Sequence, residues 1–175
     1  MLETLITSKT RLRLLVKFFV NAANQAHMRG LAGEFNESTN AIRKELNNLS
    51  EAGYLEKKTQ GNRIDYRANI HHPLFGSLQQ IVRKYLGLDT IVEKILDRMG
   101  DVQQVWLIGD YAEGKDSGLI EIVVLGNDLN ADYAANVAGK VEDMIGRKID
   151  FTLGKTGDDE PEKGLLLFEL GTKEY

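Results

Sequence analysis

The sequence contains no cysteine, which excludes disulfides, thiolate zinc sites and a cysteine nucleophile. Histidine is scarce as well, with only His27, His71 and His72, so a histidine-rich metal centre is not expected, and neither is any cofactor. There is no run of about 18 apolar residues, and no charged-then-apolar leader opens the chain. These absences predict no membrane partner and a cytoplasmic location. A positive charge excess is missing too: 22 Lys and Arg against 26 Asp and Glu leave a net charge of −4.

The chain has 175 residues, 42% of them hydrophobic, enough for one comfortable core or two small ones. Division near Tyr85 favours two. Residues 1–85 carry 13 Lys and Arg against 7 Asp and Glu, net +6, and the remainder carries 9 against 19, net −10. Such asymmetry is expected when one module faces an anionic polymer and the other does not.

Across residues 8–23, Leu12, Leu15, Val16, Phe19 and Val20 recur at helical spacing, with Lys9, Arg11, Arg13 and Lys17 on other faces. Beyond Ala26 and His27, Leu31 and Phe35 stand four apart in a short helical segment that breaks at Asn36, Glu37 and Ser38. Ser38 suits the cap of a further helix over residues 39–52. That helix puts Ile42, Leu46 and Leu49 on one face and Thr39, Asn40, Arg43, Lys44 and Asn47 on the others, and Gly53 ends it. Residues 54–58 and 63–68 then alternate around Thr59, Gln60, Gly61 and Asn62, which is a hairpin pattern.

Helix, short helix, tight turn, polar-faced helix and basic hairpin together resemble the winged helix-turn-helix transcriptional regulators of the arsenic-repressor type. The resemblance covers roughly residues 8–70. Its most specific stretch runs through Leu31 and Ala32, then Ser38, Thr39 and Asn40, then from Ile42 to Leu46 and from Leu49 to Leu55. It implies that the helix after Ser38 enters the major groove of double-stranded DNA while the hairpin follows the backbone or minor groove. Arg43 then suits a guanine edge, and Asn40 or Asn47 an adenine edge. Lys44, Lys57, Lys58, Arg63 and Arg67 suit phosphates, which give affinity and salt dependence without reading sequence. The same residues also fit a solvated face of a protein-binding module.

Pro73 opens a predicted helix through Tyr85, apolar at Leu74, Leu78, Ile81, Val82 and Tyr85. Asp89 and Thr90, with Glu93, signal the start of a second, which carries Ile91, Val92, Ile95, Leu96 and Met99 and ends at Gly100. This much apolar surface fits two readings: a homodimer seam, which symmetric operators commonly require, or packing against the chain's own domains. His71 and His72 read as a helix-start feature.

The pattern then changes to strand and helix: strands over 102–109, 119–125, 148–153 and 164–170, and a helix over 131–145. This predicts an α/β domain within a chain that is α+β overall. Leu107, Ile108, Gly109, Asp110, Tyr111, Ala112, Glu113 and Gly114, followed by residues 117–124, resemble the minimal nucleotidyltransferase fold. In that family a Gly-Ser turn cradles phosphate, and an Asp-x-Asp pair with a third carboxylate holds two magnesium ions. Here Asp110 stands in place of the serine, Leu119 takes the first ligand position, Glu121 the second, and Asp150 is the candidate third. Leucine offers no oxygen to magnesium. Replacing Leu119 by Asp116 in the ligand set loses the two-residue spacing that puts two side chains on one side of a strand. The acidic stretch from Thr156 to Lys163 reads as a solvated loop.

The sequence therefore predicts three parts: a winged helix over 1–72, a helical connector over 73–100, and a degenerate transferase-like domain over 101–175. The expected function is a sequence-specific transcriptional regulator, a homodimer and not an enzyme, with a small-molecule or nucleotide effector as a further candidate partner. The alternatives are an active nucleotidyltransferase on protein, RNA or small molecule, and a non-catalytic protein-interaction module.

Overall fold

Ser8 starts the first helix by two bonds: its Oγ accepts the Arg11 amide at 3.2 Å and donates to Glu45 at 2.7 Å. The helix that follows, α1 (Lys9–Phe19), buries Leu14, Phe18 and Phe19 completely. It stops earlier than the periodicity predicts. Past Val20, the Asn21 side chain accepts the Ala23 amide at 3.0 Å and turns the chain. A three-residue strand, β1 (Gln25–His27), comes next and was not anticipated, since three residues are too few to display alternation.

The computed structural model describes residues 2–171. Helix α2 (Met28–Phe35) ends at Asn36 in the left-handed conformation, φ 53°, which asparagine tolerates better than most residues. Ser38 then caps α3 (Thr39–Glu51) by accepting the Ala41 amide at 3.2 Å. At the far end Gly53, φ +80°, closes the helix: its amide bonds to Ser50 O at 3.0 Å and the Tyr54 amide to Leu49 O at 2.9 Å. This is the paired closure that favours glycine. Strands β2 (Leu55–Gln60) and β3 (Arg63–Ala68) form a hairpin with Gly61, φ +59°, at the first of two loop positions. The sheet order is β1-β3-β2, antiparallel throughout. Leu31, Ile42 and Leu46 join α1's buried residues in the core.

The chain divides into two compact units, Met1–Val82 and Arg83–Tyr175, with the boundary inside α4 (Phe75–Leu86). Helix α5 (Leu88–Arg98) begins one position before Asp89, with Gly87 as the capping residue, φ 78°, and no side-chain cap bond. The expected Asp89 start is thus displaced. A Cβ on Gly87 would lie 2.4 Å from Ile145, so the close approach of α5's start to the rest of the second unit requires glycine. Asp89 instead meets Arg83 at 3.2 Å.

Strand β4 (Asp101–Ile108), a one-turn helix α6 (Gly109–Ala112), β5 (Leu119–Asn127), α7 (Ala131–Ile145), β6 (Lys148–Gly154) and β7 (Leu165–Glu169) complete the unit. The sheet order is β6-β5-β4-β7. Only β5 and β6 run parallel, joined by α7, while β4 is antiparallel to both its neighbours. The core contains Val105, Leu107, Ile120, Ile122 and Val124 from the sheet, Ile91 and Ile95 from α5, and Val137 and Val141 from α7. With two sheets and seven α-helices among the described residues, the chain is α+β. None of those helices is long and apolar enough to cross a membrane.

Candidate functional site

Helix α3 presents two chemically different faces because its apolar residues recur every three to four positions. At 3.6 residues per turn, Thr39, Arg43, Asn47, Asn40 and Lys44 fall within one arc of about 140°. Ile42, Leu46 and Leu49 are buried on the other side. Thr39, Asn40, Arg43 and Lys44 are exposed and Asn47 is half-buried. Ser38 is spent on the cap.

The polar arc borders a groove of about 750 Å³ whose other wall is the hairpin. Arg43, Asn47, Lys57 and Arg63 converge on it from the residues read in the sequence, and Arg29 and Tyr66 join them. Lys44, Lys58 and Arg67 are exposed but do not line the groove. Burial raises the Tyr66 pKa, and the nearby Arg43 guanidinium partly opposes that rise. The Lys57 ammonium lies 5.9 Å from the centre of the Tyr66 ring. Arg29 was missed because the only signal in its segment was the Leu31 and Phe35 pair, and its position on the groove depends on the short strand β1 that precedes α2.

The cations of this unit fall into two groups. Arg11 meets Glu45 at 2.8 Å, Arg13 meets Glu37 at 3.1 Å, Lys17 meets Glu34 at 3.0 Å, Arg63 meets Asp65 at 3.0 Å and Arg67 meets Glu56 at 2.8 Å. Among the described residues no carboxylate lies within ion-pair reach of Lys9, Arg29, Arg43, Lys44, Lys57 or Lys58. Five of those six lie on α2, α3 and β2, so uncompensated charge gathers around the groove.

No family model, curated protein or solved structure matches the chain. The functional reading therefore rests on the residues themselves.

In the second unit the residues read as a worn transferase site come together only in part. Glu121 and Asp150 are register partners on the parallel strands β5 and β6, and Leu119 pairs with Lys148 two positions earlier. Gly109 adopts φ +65°, and a Cβ there would lie 1.8 Å from Glu121 Oε2. The Glu121 carboxylate thus rests directly on the glycine turn. Asp110 is half-buried, with Lys115 at 3.7 Å. Leu119 is 43% exposed at the start of β5.

Asp116 is held elsewhere. It receives two bonds from Arg147, at 3.1 and 2.9 Å, and one from the Tyr111 hydroxyl. The same hydroxyl accepts the Gly118 amide at 3.1 Å, which pins the loop between α6 and β5. Burial, together with the adjacent Asp116 carboxylate, pushes the Tyr111 pKa up to about 12. Arg147 is likewise raised: burial opposes its charge, but the Asp116 carboxylate outweighs that cost. Among the described residues no group of three or more His, Asp or Glu side chains is placed to hold a metal ion.

Proposed function

We propose that the chain is a sequence-specific DNA-binding transcriptional regulator that acts as a homodimer. In this reading the first unit is a winged helix-turn-helix and the second a nucleotidyltransferase-like fold without catalytic activity. The observation that carries it is the sorting of charge: among the described residues, Arg43, Lys44, Lys57 and Lys58 have no carboxylate partner, and they lie on the very helix and hairpin that would face a duplex. Arg43 is suited to two bonds with a guanine edge, worth roughly 1–3 kcal/mol of discrimination, and Asn40 or Asn47 to an adenine edge. Lys44, Lys57 and Lys58 supply phosphate contacts. Arg63 and Arg67, already ion-paired within the hairpin, contribute less to affinity than their charge suggests.

Two observations favour a non-catalytic second unit. The Glu121 carboxylate fills the space over Gly109, where the resemblance would put a phosphate. Leu119 leaves the first ligand position without an oxygen. Incubation with labelled nucleoside triphosphates and magnesium or manganese is expected to transfer nothing. Transfer that disappears in Glu121→Ala would replace this reading with an enzyme.

Selection of bound duplexes from a random pool tests the DNA reading. Recovery of a common motif with two-fold symmetry is expected. Recovery of unrelated sequences at equal affinity would overturn sequence-specific binding.

A further inference from the structure

The three histidines of the chain have different surroundings. His72 Nδ1 accepts the Leu74 amide at 3.1 Å and its ring centre lies 4.3 Å from that of Tyr54, so it is held within its own unit. His71 is exposed and does not line the groove between α3 and the hairpin. His27 does line it, together with Arg29, Arg43 and Lys57. Its half-buried ring has no hydrogen-bond or ion-pair partner among the described residues. The ring lies against Gly30, where a Cβ would come within 2.9 Å of Cε1 and 3.3 Å of both ring nitrogens. Glycine weakens a helix interior, and α2 has only eight residues; the position nonetheless carries the one residue that leaves room for the imidazole.

We propose, on the basis of the DNA reading, that His27 contacts a backbone phosphate of the duplex and that its protonation strengthens DNA binding as pH falls through the neutral range. The charges around it leave that role open. On β3, the register partner Asp65 is engaged by Arg63 at 3.0 Å, Arg67 is engaged by Glu56 at 2.8 Å, and Tyr66 is an uncharged phenol whose pKa burial raises. Arg29 on α2, Arg43 on α3, and Lys57 and Lys58 on β2 have no carboxylate partner among the described residues. The carboxylate opposite the imidazole is thus already neutralised, and the groove is cationic. Histidine is the side chain whose ordinary titration falls between about pH 5 and 8, while a phosphodiester stays anionic throughout. A phosphate in the groove favours the charged imidazole, so duplex binding takes up a proton wherever the free chain holds the neutral form. The charged form makes an ion pair and releases a counterion; the neutral form donates one hydrogen bond and releases none.

Anisotropy of a random-sequence duplex carrying a non-titrating dye, with the full chain at constant ionic strength, measures the effect from about pH 5.5 to about pH 8. Affinity should weaken about tenfold across that range. The slope of log affinity against log salt should be steeper at the acid end by about one. His27→Gln should hold affinity near its alkaline value at every pH, while His71→Gln keeps the pH dependence of the unmodified chain. Calorimetric titration of the unmodified chain in two buffers of different ionisation enthalpy should report proton uptake on binding near neutral pH, a readout that does not require the variant to fold. Affinity indifferent to pH, binding without proton uptake, or a pH dependence that survives in a folded His27→Gln chain overturns the proposal and leaves DNA binding standing. Failure to bind any duplex at any pH overturns the DNA reading, and this inference with it.

Discussion

Arg11 Nε donates to Glu45 Oε2 at 2.8 Å, and this bond holds the α3 carboxylate nearest to Arg43 in sequence against α1. Glu45 is buried while Arg43, two residues earlier, is exposed and has no carboxylate partner among the described residues. The ion pair thereby keeps that carboxylate off the face of Arg43 and Asn47, where the exposed Glu51 enters only in the last turn.

The first prediction separates reading from holding. Arg43→Ala should reduce the preference for a selected duplex over a random one by about tenfold, which corresponds to about 1.4 kcal/mol. Lys58→Ala should weaken both duplexes alike and lower the slope of log affinity against log salt by about one. Fluorescence anisotropy over a salt series measures both quantities.

Glu45 links the first unit's stability to acid. Burial works to raise its pKa, but the hydrogen bonds from Ser8 and Arg11 outweigh burial and hold it below the ordinary 4.5. The folded state therefore binds fewer protons than the unfolded one as pH approaches that value. The stability this group contributes is present above pH 4.5 and is lost as pH falls through its folded pKa. Glu45→Gln should cost about 2 kcal/mol at neutral pH and flatten the acid limb of the first unit's unfolding curve. An acid limb of unchanged steepness would assign the acid sensitivity to other carboxylates.

Tyr111 makes the opposite prediction for the second unit. Its ordinary pKa of 10 is raised to about 12, so the neutral phenol is the form the fold favours. The contribution is complete below pH 10 and is lost as pH rises toward 12. Phenolate absorbance should show Tyr66 and Tyr111 titrating late, Tyr111 at about 12, and Tyr111→Phe should remove the Tyr111 step while the Tyr66 step stays. A late amplitude unchanged in the variant would place the step at about 12 on another tyrosine.

Gly109→Ala tests how tightly the turn and Glu121 are fitted. The left-handed φ of +65° costs an alanine about 1 kcal/mol, and the new Cβ would meet the Glu121 carboxylate at 1.8 Å. The double variant with Glu121→Ala should regain the part due to the clash and keep the part due to φ. Thermal unfolding of the two single variants and the double variant gives the coupling, and additive losses would show that the carboxylate moves aside freely.

Local chemistry explains what could be read from the sequence. Ser38 and Gly53 mark the ends of α3 because capping depends on residues adjacent in sequence. Residues 131–145 form the helix at the expected ends for the same reason, between Asn130, which accepts the Tyr133 amide, and Gly146, φ 68°. Strand β1 was not readable, since Gln25–His27 is a strand only through its partners on β3. The start of α5 was misread at Asp89 because the reason for glycine at Gly87 is the distant Ile145.

The candidate interface was readable to a similar degree. Periodicity placed Arg43 and Asn47 on one face, whereas the pairing of Arg67 with Glu56 depends on the cross-strand register of β2 and β3. Arg63 and Asp65, two apart on one strand, share a face, so their ion pair was there to be seen. The second unit's constellation of Glu121, Asp150 and Gly109 was proposed from resemblance. What the structure adds is the carboxylate lying against the glycine, which no spacing in the sequence encodes.

The central claim is that α3 reads DNA sequence, and the most direct measurement is the affinity ratio between a selected and a random duplex at fixed salt, for the unmodified chain and for Arg43→Ala. The account predicts a large ratio that falls about tenfold in the variant while non-specific affinity changes far less. A ratio of one in the unmodified chain, or a ratio indifferent to Arg43, would contradict it.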